Sequence, residues 1–109
     1  MVLAIDFDGV IHDRGNRPEG KMLGEPFEDA PAALEALHDA GHRIIIHTLM
    51  ATTPSGTAAV TDWLDHYGID YHEVTAIKPY ADYYIDDKAI THVNWNSTMQ
   101  AIGFRLDED

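Results

Sequence analysis

The sequence predicts an α/β domain built on a mostly parallel sheet with helices on both faces. Two observations carry that prediction. Val2-Leu3-Ala4-Ile5, Ile44-Ile45-Ile46 and Tyr83-Tyr84-Ile85 are short, apolar and β-prone, the pattern of buried parallel strands. Segments with helical periodicity separate strand patterns along the chain, which implies βαβ units. The 109 residues bury one core but hardly two, so residues 1–109 read as one domain without a linker, repeat or low-complexity segment.

The elements follow in order. Residues 2–5 form the first strand and stop at Asp6-Phe7-Asp8-Gly9-Val10. Residues 11–27 are rich in Gly, Pro and charge and read as a loop or flap. Ala30, Ala33, Leu34 and Leu37 share one face of a first helix, with Pro31 near its start and Gly41 at its end. Ile44 to Ile46 is the second strand, ending at His47-Thr48. Pro54-Ser55-Gly56 introduces a second helix, whose Ala59, Val60, Trp63, Leu64 and Tyr67 share a face before Gly68 closes it. Tyr71 to Thr75 is a third strand, and Tyr83 to Asp86 a fourth. Trp95 to Ile102 makes a last short helix before an acidic tail at about 104–109, expected to be solvated and frayed.

Composition narrows the function. A formal charge of −12, with seven Lys and Arg residues, argues against a broad nucleic-acid surface. The absence of Cys excludes disulfides, thiolate catalysis and Cys-based zinc sites. No apolar run approaches the ~20 residues of a membrane span, and the first strand is too short for a signal peptide, so a cytoplasmic location is expected. His38 and His42 stand at i, i+4 but straddle Gly41, with no third ligand nearby to complete a zinc site.

The acidic clusters Asp6/Asp8 and Asp86-Asp87 each terminate a strand. In open α/β sheets the crevice beyond the carboxyl ends of the strands is where ligands bind. Carboxylates brought together there repel unless a proton or cation joins them, and hard oxygen ligands of this kind suit Mg²⁺. The expected site is a metal-dependent phosphate site. Alternation along a strand sends Asp86 and Asp87 to opposite sides, which favours Asp86 as the direct ligand, with Asp87 supporting it or reaching the metal through water. A turn or capping role accounts for Asp6 and Asp8 singly but predicts nothing further along the chain.

The ordered set Asp6-x-Asp8-Gly9-Val10, Thr48 after an apolar strand, Lys78 in Ile77-Lys78-Pro79, and Tyr84-Ile85-Asp86-Asp87 resembles the haloacid dehalogenase-like phosphohydrolases over residues 2 to about 92. Tyr80-Ala81-Asp82-Tyr83-Tyr84-Ile85-Asp86-Asp87 is most similar to small capless members. The resemblance implies a single Rossmann-like domain without a cap, and phosphomonoester hydrolysis dependent on Mg²⁺. Asp6 takes the part of nucleophile, Asp8 of general acid and base, Thr48 of a hydroxyl donor to the phosphoryl group, and Lys78 of a balancing cation. Asp6, the Asp8 backbone carbonyl and Asp86 are the implied metal ligands.

Departures from the pattern matter too. Related sequences carry an Arg shortly after the position of Thr48, where this chain has Leu49-Met50. The short intervals leave no room for a cap with its own core, so the cleft is expected to be open to a phosphorylated small molecule or macromolecule, unless the flap or a neighbouring subunit covers it. Arg14, Arg17 and Lys21 place three of the seven basic residues in the flap, which reads either as a solvated loop or as a set of cations that draws an anionic substrate to the cleft. The alternative is a non-catalytic acidic phospho-acceptor or metal-binding module, for which a leaving-group acid two residues beyond the acceptor has no use.

Overall fold

A computed structural model describes residues 1–16, 19 and 23–104. Among the described residues six strands and three helices follow in the order β1 (Val2–Asp6), β2 (His12–Asp13), β3 (Glu25–Pro26), α1 (Ala30–Asp39), β4 (Arg43–His47), α2 (Pro54–His66), β5 (Glu73–Thr75), β6 (Tyr83–Ile85) and α3 (Trp95–Ala101). A single 3-10 turn, Leu49–Thr52, lies between β4 and α2. Arg17, Lys21 and the acidic tail from residue 105 lie outside the described residues.

The main sheet has the order β5-β4-β1-β6, and every pairing in it is parallel. Leu3, Ile5 and Phe7 alternate onto one face with Ile44 and Ile46, where Leu34 of α1 and Val60, Trp63 and Leu64 of α2 close the core. Helix α2 starts cleanly because Thr53 Oγ1 accepts the Gly56 N–H at 3.0 Å and Pro54 needs no amide partner at the first position. No helix among the described residues is long and apolar enough to cross a membrane.

Two expectations change. Both α1 and α2 cover the same face, because the chain steps from β1 to β4 to β5 in one direction and right-handed crossovers then keep their helices on one side. Helix α3 buries no residue and so does not supply the cover expected on the opposite face. The strand Tyr83–Ile85 is not buried either, with Tyr83 61% and Ile85 38% exposed. It is an edge strand, paired among the described residues with β1 alone.

The flap read as a loop contains a small antiparallel ribbon, with His12 opposite Pro26 and Asp13 opposite Glu25. Its first strand is tied to β1 by a tight turn, in which the Phe7 carbonyl accepts the N–H groups of Ile11 and His12 at 3.0 and 2.9 Å. Phe7 and Ile11 are fully buried at the base of this turn. The residues on either side of Gly9 are therefore rigidly mounted.

Candidate functional site

Strand register builds the site. Asp6 stands opposite His47 in the β1–β4 pairing, and His47 opposite Thr75 in the β4–β5 pairing. On the other side Ile5 pairs with Ile85, so the next residues, Asp6 and Asp86, leave the sheet at the same level. The chain runs from β1 across to β5 and then returns to β6 on the far side of β1. The crevice between β1 and β6 is thus the topological switch point, the favoured ligand position of an open parallel sheet.

Three carboxylates converge there. One oxygen from each of Asp6, Asp86 and Asp87 lies within 4.8 Å of the other two. Asp6 is partly buried, whereas Asp86 and Asp87 are exposed. Burial raises the Asp6 carboxyl above its ordinary range, and the negative charges of Asp86 and Asp87 push the same way; His47 and the Phe7 backbone N–H oppose them. The Asp86 carboxylate accepts the Lys88 N–H through Oδ1 at 2.7 Å. Gly9 has φ +82° and its missing side chain leaves room for Asp87, because a Cβ there would overlap Asp87 Oδ2.

The cluster fits a small divalent cation on chemical grounds. The donors are all carboxylate oxygens, the hard ligands that Mg²⁺ and Ca²⁺ both take. Both Asp86 and Asp87 offer an oxygen, although strand alternation assigns only Asp86. The reason is that β6 ends at Ile85, so the alternation rule does not extend to the two acids.

The other expected site residues divide. The Asp8 carboxylate is outside the three-acid cluster and is bonded to His12, with Oδ1 at 2.7 Å from Nδ1. Thr48 is buried directly beyond β4, its N–H held by the Thr75 carbonyl and its Oγ1 accepting the Met50 N–H at 3.2 Å. That arrangement leaves the hydroxyl proton of Thr48 available to another acceptor. Lys78 is exposed in the loop after β5, and its ammonium lies 4.7 Å from the centre of the Tyr84 ring. Among the described residues no ion pair within 4.0 Å joins Lys78 to Asp6.

His47 belongs to the same row as Asp6 and donates Nε2–H to the Ala76 carbonyl at 3.3 Å, which orients its ring beside the acids. Sequence reasoning overlooked His12. The signal was its position four residues after Asp8, a spacing that means nothing in a predicted loop and becomes a contact only through the turn at Phe7. His38 stacks on His72, with ring centres 4.8 Å apart, while His42 meets the terminal amine of Met1. These two histidines therefore face different partners.

Comparison of the chain with protein-family models, with curated proteins and with solved structures found no match. The candidate function consequently rests on the chemistry of the site.

Proposed function

We propose that this chain is a Mg²⁺-dependent phosphomonoester hydrolase of the haloacid dehalogenase-like kind, with a Rossmann-like domain and no cap. The observation that carries the reading is the convergence of Asp6, Asp86 and Asp87 at the switch point between β1 and β6. Three acids that repel one another have a chemical use when a cation joins them. Asp6, Asp86 and Asp87, with the Asp8 carbonyl, would hold Mg²⁺, which when bound offsets the negative charge of a phosphate ester.

The chain's own groups then divide the reaction. An Asp6 carboxylate oxygen attacks phosphorus and the bond to the ester oxygen breaks, while Asp8 gives that oxygen its proton and the alcohol departs. Water next attacks the phosphorus of the aspartyl-phosphate as Asp8 takes up a proton. The bond from phosphorus to Asp6 breaks, releasing phosphate and restoring both acids. The Thr48 hydroxyl donates to a phosphoryl oxygen, and Lys78 reaches the same region from the loop after β5, leaving its place over Tyr84. Leu49 and Ile77, each 79% exposed on the loops beyond β4 and β5, fit an open cleft that admits a large phosphorylated substrate.

A panel of phosphate esters assayed with and without Mg²⁺ tests the reading. Turnover should require Mg²⁺ and vanish in Asp6→Asn, which keeps the shape but lacks the nucleophile. In Asp8→Asn the loss should be about 100-fold or more on an alkyl phosphate, and smaller on p-nitrophenyl phosphate, whose leaving group needs little protonation. Mg²⁺ binding without turnover of any ester would favour the alternative of a non-catalytic metal-binding module.

A further inference from the structure

The hydrogen bonds of His12 fix more than its own place. Its side chain is almost completely buried, with the residue 3% exposed. The Gly24 backbone N–H donates to Nε2 at 2.7 Å. An amide nitrogen has only a proton to offer, so Nε2 is the bare nitrogen and Nδ1 carries the ring proton. That proton points to Asp8 Oδ1 at 2.7 Å. The ring is also packed against two aromatic neighbours. It stacks on Phe7 at 5.1 Å and 6°, and meets Trp63 edge-on at 5.5 Å and 89°. Trp63 Nε1–H in turn donates to the Gly24 carbonyl at 2.8 Å. Both peptide groups that flank Gly24 are thus held by side chains, and a Cβ at Gly24 would overlap the Asn16 carbonyl.

We infer that His12 is a positioning residue for Asp8: it occupies Oδ1 and reserves Oδ2 as the oxygen that gives and takes the proton, while tying that acid to the flap through Gly24. The inference rests on the phosphatase reading above for its chemistry, but its geometry is independent of any metal. A carboxyl group free to rotate presents either oxygen in either orientation. One with Oδ1 fixed by a buried donor presents one oxygen in one direction, the pre-organisation that proton transfer rewards. Because Gly24 holds the opposite nitrogen, a change in the flap that shifts Gly24 reorients the imidazole and with it Asp8.

The two functions of the ring separate by substitution. Asn at position 12 sets an amide donor near the place of Nδ1 and keeps the bond to Asp8. Gln sets its amide near Nε2 and keeps an acceptor for Gly24. In the full chain with Mg²⁺, His12→Gln should lower kcat on an alkyl phosphate about 10- to 100-fold, a part of the ~10²–10⁴ that a positioned general acid supplies. Its kcat/KM on p-nitrophenyl phosphate should stay within about twofold, since that constant covers only the steps up to departure of the alcohol, where an acid's orientation matters least to this leaving group. His12→Asn should recover most of the alkyl phosphate activity. Adding His12→Gln to Asp8→Asn should cause no further loss, because the histidine acts only through that acid. Equal losses of kcat/KM on both substrates, or a further loss in the double variant, would overturn the inference. Proton-detected ¹⁵N spectra of the wild type supply a readout apart from activity: they should show a protonated Nδ1 and a bare Nε2 at His12, and the opposite tautomer refutes the assignment. A wild type that turns over neither ester sinks the phosphatase reading and the catalytic role together. A wild type active on both, with an unchanged substrate ratio in His12→Gln, removes the positioning role alone.

Discussion

Replacing Asp86 by Asn should make the metal-free protein more stable and the metal-bound protein less so. Asn has nearly the same shape, the side chain is exposed, and its Oδ1 can still accept the Lys88 N–H. What disappears is one charge among three acids within 4.8 Å of one another. Coulomb's law gives about 0.9 kcal/mol for two unit charges at that distance in bulk water and about 3.5 kcal/mol at an effective dielectric of 20. Asp86 and Asp87 are neighbours in sequence and repel in the unfolded chain as well, so only the repulsion between Asp86 and Asp6 counts fully toward stability. Solvent exposure places the gain near the lower figure, about 1 kcal/mol, or roughly 4–8 °C in Tm for a domain of this size. In wild type, Mg²⁺ at ten times its Kd should add about 1.4 kcal/mol by mass action. Thermal unfolding in EDTA and in a Mg²⁺ series measures both effects. The pH dependence has a definite sign. Asp6 is raised above its ordinary range, so between that range and its raised pKa the native state binds more protons than the unfolded chain. Metal-free stability therefore falls as pH rises through this window, and falls less in Asp86→Asn. A lower Tm in EDTA for the variant, with an unchanged Mg²⁺ response, would refute the reasoning.

Two other perturbations probe the support of the site and its approach. Trp63→Phe keeps most of the buried ring but removes the donor to the Gly24 carbonyl; urea unfolding should show a loss of about 1–3 kcal/mol, the ordinary consequence of orphaning a buried acceptor. Arg14 is exposed in the flap. Arg14→Ala combined with Arg17→Ala should lower kcat/KM on the best ester at low salt, with the deficit shrinking as ionic strength rises. Unchanged low-salt kinetics would make these two cations solvated bystanders.

Much of the fold was legible because its strong elements follow single-period patterns. Ile44, Ile45 and Ile46 sit in β4, flanked by β1 and β5, and α2 starts at Pro54 with Val60, Trp63 and Leu64 inward, as their spacing predicts. Short elements were illegible for a physical reason. β2 and β3 have two residues each, too few for alternation to register, and their pairing depends on the turn at Phe7. The apolar run Tyr83-Tyr84-Ile85 misled in the opposite direction. Its composition describes a buried strand, but burial depends on the sheet's order, which puts this strand at an edge and is not written in the strand itself.

The candidate site divides along the same line. Asp6 was legible because it ends a strand whose register carries it to the crevice, and its level with Asp86 follows from the pairing of Ile5 with Ile85. Asp87 was assigned a lesser place by a rule that holds only inside a strand, and β6 stops one residue before the acids begin. Gly9 has two reasons to be glycine, a positive φ and the nearness of Asp87 Oδ2, of which only the need for a sharp turn was visible in the sequence. Asp8 and His12 show how far such reading extends. The acid lies next to a strand end and declares itself by spacing. Its partner is reached through a turn, fixed by an amide twelve residues further on, and enclosed by a tryptophan from α2. Strand ends place the groups expected to meet the phosphate, while the contacts that aim those groups are long-range and emerge only from the folded chain.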